Sequence, residues 1–365
     1  MAGVKVLNVF DDVVGHQPVL ALLGQELARP AQVYLFVGPG SVGKATVARR
    51  FAAALLCPQE GVHEGTCSHC RRALEGNHPD LTVVEPEGRT ALTVDQARTT
   101  VAAATLAPVE ASRKVFLFEE AGSMNEQAAN ALLKTLEEPT ASTVFLLAVE
   151  GEDELPPTVA SRARLIHLGR IGDEEVAESL VRMGVEPPQA EEASLISGGR
   201  PGLALALATR PEVAAFRKAW LAVPLQVSPR PGDAIRLAEG VLDAAEPLLA
   251  ALRERHQAER ASVDSETPFH RAMGDRQERE LRRATQTLFV TGLEILASWY
   301  RDAAAAQHGA PIRNRDIPGT ALASLSPPAA VAGAERVLEA VEGLRANQRP
   351  QLVLASLFAD LGVVD

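Results

Sequence analysis

Gly38-Pro39-Gly40-Ser41-Val42-Gly43-Lys44-Ala45 follows the apolar run Val33-Tyr34-Leu35-Phe36-Val37. It precedes a helical pattern in which Val47, Ala48, Phe51 and Leu55 share one face. A strand, a glycine-rich turn closing on Gly-Lys, and a helix make the phosphate-loop arrangement G-x-x-x-x-G-K-[ST]. Its glycines let backbone N–H groups turn inward on phosphate oxygens, and the helix N-terminus adds partial positive charge. The last position here is Ala45 instead of Ser or Thr. That hydroxyl normally holds the magnesium ion bridging the terminal phosphates, and Thr46 comes one place too late to replace it. Gly38, Gly40, Gly43 and Lys44 therefore form the shell of a nucleotide site that lacks a part needed for hydrolysis. Two readings of the loop stand: a pocket that still takes ATP, and a glycine-rich turn with no ligand.

Working outward, the first 170 or so residues alternate short apolar runs with helical patterns, as a parallel α/β sheet does. Leu81–Val84, Val115–Phe118, Thr143–Val149 and Arg164–Leu168 read as four further strands. Between the third and fourth strands, Ser123-Met124-Asn125-Glu126 reads as a capping box with Ser123 as N-cap. Ala129, Leu132, Leu133 and Leu136 form the apolar stripe of the helix it opens, and Pro139 stops that helix. Val115-Phe116-Leu117-Phe118-Glu119-Glu120 has the form of a Walker B strand. Such a strand ends in an Asp that holds the metal, followed by a Glu that orients water. Glu119 stands in the Asp position, and its extra methylene displaces the carboxylate by more than about an ångström. Magnesium demands near-octahedral geometry, so Ala45 and Glu119 together predict a nucleotide site without Mg-ATP hydrolysis.

Beyond Gly169 the strand signals vanish. Two short helices (174–183 and 188–196), a Ser-Gly-Gly-Arg-Pro-Gly turn (197–202) and a further helix read as a small helical domain, and the remainder is helical. The expected domains are 1–169, 170–208 and 209–365. The charge-rich stretch Arg253–Arg283 reads as a solvated helix face or an excursion.

Aromatic residues make up only 4% of the 365, which suits helix-rich packing. The formal net charge of −11 argues against DNA phosphates as the main partner of the chain's own surface. No stretch approaches the 18 or so uninterrupted apolar residues of a membrane span, and the start of the chain has no apolar core after a basic segment. A cytoplasmic protein is expected. Three cysteines in such a setting suit metal binding or free thiols better than disulfides. Cys57, Cys67 and Cys70 give C-x9-C-x2-C, half of which is a zinc-knuckle spacing. His63 is the best fourth ligand, with Glu64, His69 and His78 behind it, and the expected ion is a structural zinc. Ser161-Arg162-Ala163 follows the fourth strand after a loop holding Pro156 and Pro157. An arginine at an exposed turn can stabilise phosphoryl charge in a neighbouring subunit, an effect worth roughly a thousand- to a hundred-thousand-fold in rate. On spacing alone the reading of Arg162 is a surface arginine, ahead of a finger.

These motifs converge on a resemblance. Ala129-Asn130-Ala131-Leu132-Leu133-Lys134-Thr135-Leu136-Glu137-Glu138-Pro139 resembles the signature helix of the AAA+ subunits of bacterial clamp loaders. Phe10, Gly15 and Gln17 resemble the N-terminal box of that group, and Ser161-Arg162 its Ser-Arg-Cys motif, with Ala163 departing at the third place. Gly76-Asn77-His78-Pro79-Asp80 fits as well. Towards the C-terminus, Trp299-Tyr300-Arg301-Asp302 and Leu344–Leu352 resemble the family's collar domain. The resemblance implies an AAA+ domain with a RecA-like parallel sheet, a small helical lid and an all-α collar that oligomerises. The motor branch (gamma/tau) keeps an intact phosphate loop and a Walker B Asp. The stator branch (delta-prime) commonly lacks them, and this chain resembles that branch. It implies partnership with gamma/tau motor and delta subunits, loading of the sliding clamp onto primed DNA, and Arg162 as a finger acting in trans. Two departures stand out. Glu64 sits where the family's fourth cysteine falls, and Gly202 sits near its nucleotide-sensing arginine, with Arg200 two residues early. The competing expectations are an active motor ATPase, and a free-standing zinc protein binding DNA through basic stretches such as Arg276–Arg283.

Overall fold

A computed structural model describes residues 9–11, 13–58, 67–86, 92–261, 268–345 and 348–363. The chain divides into two compact units, Met1–Ala204 and Leu205–Asp365.

The first unit is built on five parallel strands, β1 (Val33–Val37), β2 (Leu81–Val83), β3 (Lys114–Phe118), β4 (Thr143–Val149) and β5 (Arg164–His167), in the order β2-β3-β4-β1-β5. β1 pairs Val33 with Phe145 on one side and Tyr34 with Arg164 on the other. β1, β3 and β4 are buried along their whole length, which is why they read as unbroken apolar runs instead of alternating ones. Their two faces serve different layers. Tyr34, Phe36, Val115, Leu117, Val144 and Leu146 face helices α1 (Gln17–Glu26) and α2 (Lys44–Leu56), packing on Leu23, Val47, Phe51 and Leu55. Leu35, Phe116, Phe118, Phe145 and Leu147 face α4 (Val94–Ala104) and α5 (Glu126–Glu137), packing on Ala97, Leu132 and Leu136. The short α3 (Ser68–Leu74) lies between α2 and β2 in the chain, and α6 (Pro157–Ala160) between β4 and β5. This is a parallel α/β sheet covered by helices on both faces, with the phosphate loop after the strand that separates β4 from β5.

One expected boundary moves. Ser123 does not cap α5; Asn125 does, its Oδ1 accepting the Ala128 N–H at 2.8 Å. Ala121–Ser123 coils into a short 3-10 helix, and the Ser123 hydroxyl donates to the Glu120 carbonyl. The capping box of this region lies elsewhere, at the start of α4, where Thr93 and Gln96 satisfy each other's backbone N–H.

Helices α7 (Asp173–Arg182) and α8 (Pro187–Ser197) follow the sheet. Gly199, at φ 79°, sits so close to the Ile171 carbonyl that a Cβ there would lie 2.5 Å from the oxygen. Helix α9 (Pro201–Thr209) spans the boundary between the units.

The second unit is all helical: α10 (Pro211–Ala222), α11 (Pro231–Asp243), α12 (Glu246–Ala261), α13 (Pro268–Gln307), α14 (Gly319–Leu322), α15 (Pro327–Arg345) and α16 (Pro350–Leu361). Its core gathers Phe216, Trp220, Leu296, Trp299 and Phe358. Inside it lies a buried polar group in which Arg217 bridges Asp316 (Nη1–Oδ2 2.6 Å) and Asn314 through its two Nη atoms, its Nε being left unpaired, and Asn314 Nδ2 donates to buried Asp302 at 2.8 Å. The Arg217 guanidinium, ahead of burial, decides the balance at Asp316 and holds its carboxyl below the usual range.

Candidate functional site

The phosphate loop takes the turn its glycines allow. Gly43 has φ 102°, and Ser41 also enters the left-handed region at φ 63°. Gly38 leaves β1 against β5: a Cβ there would lie 2.0 Å from the Leu168 carbonyl oxygen, so no other residue fits without moving backbone. His16 ties the start of α1 to the loop, its Nε2 2.9 Å from the Val42 carbonyl oxygen.

The charges around this loop are turned inward. Lys44 Nζ donates to the carbonyl oxygens of Gly38 (2.6 Å) and Pro39 (2.8 Å). Burial lowers the affinity of this amine for its proton, while the carboxylates of Glu150 and Glu154 act in the opposite sense. Glu150 follows β4, and its Oε1 lies 2.9 Å from where a Cβ on Gly40 would stand. A carboxylate against the loop repels the anion that such a loop normally cradles. At the end of β3, Glu119 is gripped at both oxygens by Arg49 of α2: Nε bonds Oε1, and Nη2 bonds Oε2 at 2.9 Å. A guanidinium thus supplies the positive charge that a metal supplies to a Walker B carboxylate. Glu120 caps the 3-10 helix through its carbonyl. Ala45 carries no hydroxyl that could serve as a metal ligand.

The three cysteines do come together. Cys57 follows α2, Cys67 is the N-cap of α3, and Cys70 lies buried in that helix. Their sulfur atoms lie within 4.8 Å of one another, and Cys57 and Cys67 are 3.6 Å apart. Two thiolates on a tetrahedral zinc, with Zn–S near 2.3 Å, stand about 3.8 Å apart. The Cys70 N–H donates to Cys67 Sγ at 3.3 Å, as the tight C-x2-C turn requires. Burial works against a Cys67 thiolate, but that N–H and the neighbouring thiols outweigh it and lower the thiol's proton affinity. Burial, reinforced by the other two sulfurs, pushes Cys70 up. Such a donor set suits three corners of a structural zinc. His63 and Glu64 lie outside the described residues. His69 and His78 pair with each other instead, Nδ1 to Nε2 at 3.0 Å. His78 Nδ1 accepts the Asp80 N–H at 3.1 Å, so its Nε2 carries the proton and donates to His69.

Asp80 explains the Gly-Asn-His-Pro-Asp segment. Its carboxylate is wholly buried and accepts three backbone N–H groups, Val109 on Oδ1 (2.6 Å) and Glu110 and Ala111 on Oδ2 (2.8 Å each). Arg72 of α3 pairs with Glu110 at the same place. The cysteine module is thereby tied to the loop that enters β3.

Arg162 stands on an exposed turn between α6 and β5. Its Nη1 donates to the Thr158 carbonyl (3.0 Å) and faces the Ser161 hydroxyl (3.4 Å). Its Nη2 lies 3.1 Å from Glu137 Oε1, at the end of α5. Arg200 turns back on its own chain, its Nε donating to Ser197 O at 2.9 Å.

Sequence reasoning missed Arg49, Asp80, Glu137 and Glu150. Arg49 and Glu150 had no readable signal, because each acts across the fold. Glu137 and Asp80 lay inside quoted motifs, but nothing in the spacing assigned them partners.

Residues 16–172 match the family model described as "DNA polymerase III, delta subunit". Over 179 residues the chain is 40% identical to DNA polymerase III subunit delta' of Pseudomonas aeruginosa, covering 48% of this chain and 55% of that protein. Over this region the chain is similar to subunits of DNA polymerase III. Other relatives include DNA polymerase III subunit delta' of Bacillus subtilis, 30% identical over 168 residues (45% of this chain, 50% of that protein). Subunit tau of Escherichia coli is 36% identical over 178 residues (47% of this chain, 27% of that protein). The match therefore spans about half the length of the delta' relatives, and it lies within the unit that carries the phosphate loop, the cysteine trio and Arg162.

Proposed function

We propose that this chain is the delta-prime, stator-like subunit of a DNA polymerase III clamp loader. In that role it performs no Mg-ATP hydrolysis and presents Arg162 to the ATP site of an adjoining gamma/tau motor subunit. The observation that carries the reading is the disarmed loop. Lys44 is engaged by carbonyls of its own loop, Glu119 is neutralised by Arg49, and Ala45 offers no metal ligand. The glycine-rich shell then serves as architecture. Arg162, by contrast, keeps its guanidinium accessible at a fixed turn. When a neighbour's γ-phosphoryl group departs, charge gathers on its oxygens, and a guanidinium brought to them lowers the barrier.

In this reading the partners are the gamma/tau motors and the delta subunit, with the sliding clamp and primed DNA reached through the complex. Cys57, Cys67 and Cys70, with His63 as fourth ligand, hold a structural zinc that fixes the module between α2 and α3. The net charge of −11 fits a subunit whose DNA contacts belong to the assembly. Among the described residues no helix is long and apolar enough to cross a membrane, in keeping with work in the cytoplasm.

The test is reconstitution. Loading of a fluorescent clamp onto primed DNA is measured with cognate motor and delta subunits, with and without this chain, and Mg-ATP turnover of the isolated chain is measured alongside. The proposal expects loading to require the chain and the isolated chain to be inert. Turnover by the isolated chain that Lys44→Ala abolishes would place it among the motors. Tight, salt-dependent DNA binding by the chain alone would instead favour a DNA-binding protein.

A further inference from the structure

We infer that Glu137 is the positioning residue for Arg162, holding the guanidinium in the orientation in which it meets the neighbouring subunit's phosphates. The inference rests on the proposed trans action of Arg162.

Both backbones that meet here are fixed. The end of α5 is buried on one side through Leu132 and Leu136. Just beyond it, Gln32 Nε2 donates to the carbonyls of Pro139 (3.3 Å) and Thr140 (3.0 Å), and the Thr140 hydroxyl donates to Ala104 O at 3.3 Å. On the other side Val159 is buried, and the turn closes through Ser161 N to Pro157 O (3.0 Å) and Arg162 N to Val159 O (3.1 Å). A long, flexible side chain leaving such a turn would sample many rotamers. Here the Arg162 guanidinium is held by the Thr158 carbonyl, the Ser161 hydroxyl and the Glu137 carboxylate. Among the described residues its Nε has no partner, which leaves that edge of the fork for phosphate oxygens.

The placement of Glu137 is hard to explain as a stabilising device. It is the last residue of α5, where a carboxylate opposes the helix dipole, and Glu138 follows it. The pair is also exposed, 42% for the arginine side chain and 40% for the glutamate, and exposed ion pairs contribute little to stability. A pair that adds little to folding but fixes one orientation of a planar donor is what pre-organisation requires.

The experiment is a double-mutant cycle in the reconstituted loader. Clamp- and primed-DNA-stimulated ATP turnover is measured for wild type, Glu137→Gln, Arg162→Ala and the double variant, after each has been shown to assemble. Because an ångström of misplacement can cost roughly a hundredfold, Glu137→Gln is expected to lower kcat about tenfold with KM for ATP unchanged. Glu137→Asp recovers part of the loss, and Glu137→Gln has no further effect once Arg162 is alanine. If the two losses multiply, or if Glu137→Gln leaves kcat unchanged while Arg162→Ala lowers it, Glu137 does not act through Arg162 and the inference is overturned with the finger intact. If Arg162→Ala itself leaves turnover unchanged, the finger reading falls and takes this one with it.

Discussion

Asp80→Asn removes a charge from a place where the chain has built three bonds around it. The native carboxylate accepts Val109, Glu110 and Ala111 N–H at 2.6–2.8 Å. Asn keeps one oxygen, which can still serve the two donors that shared Oδ2, and turns an NH2 group toward the Val109 N–H. Leaving a buried donor unpaired costs about 1–3 kcal/mol. The loop 109–111 is partly exposed, so water can reach the freed groups and the low end applies. The expected loss for that donor, with the weaker acceptance of a neutral oxygen at the other two, is about 1–2 kcal/mol. Burial alone would raise the Asp80 pKa, but the three N–H bonds outweigh it and hold it below the usual carboxylate range. Its stabilisation is therefore present above the ordinary carboxylate pKa and is lost as pH falls through the depressed folded value. Urea unfolding at neutral and acidic pH, with hydrogen exchange across 105–113, measures both effects. Asp80→Asn should lower stability at pH 7, remove part of the acid-side slope and speed exchange at 109–111. A variant with wild-type stability and unchanged exchange would refute the account of this anchor.

Two further outcomes follow from the site. Lys44→Ala should leave stimulated turnover of the reconstituted loader unchanged, because this ammonium serves loop carbonyls; a large loss measured by steady-state ATPase would return the loop to the list of working nucleotide sites. Cys67→Ser, or zinc removal with a chelator, should lower the metal content read by elemental analysis and destabilise the segment 57–74, while most of the Arg162-dependent turnover survives. Equal loss of both would contradict the separation of zinc module and finger.

The fold was legible where burial is complete. β1 and β4 lie at the expected residues because a strand covered on both faces must be apolar throughout, and the sequence shows just that. The start of α5 was misplaced by two residues. Ser123 and Asn125 are both good caps, and only the tertiary placement of the 3-10 helix Ala121–Ser123 decides between them. The true capping box at Thr93 and Gln96 was readable but passed over, since α4 carries a weak apolar stripe, with Ala97 and Ala104 as its buried apolar residues. At the site, residue types predicted which parts were missing, Ala45 and Glu119, but not what replaced them. Arg49 meets Glu119 across 70 residues of chain, and Glu150 reaches Gly40 from another strand. Such pairings arise from sheet order, which local spacing does not encode.

The central claim is that this chain acts on a neighbour's ATP through Arg162. The most direct measurement is clamp- and primed-DNA-stimulated ATP turnover of a loader rebuilt with wild-type chain or with Arg162→Ala, once both are shown to assemble equally. The account predicts a large loss of turnover with the assembly intact, concentrated at the motor site that adjoins this chain. Unchanged turnover would mean that Arg162 is a surface arginine held by Glu137 for no catalytic purpose, and that the chain is a scaffold at most.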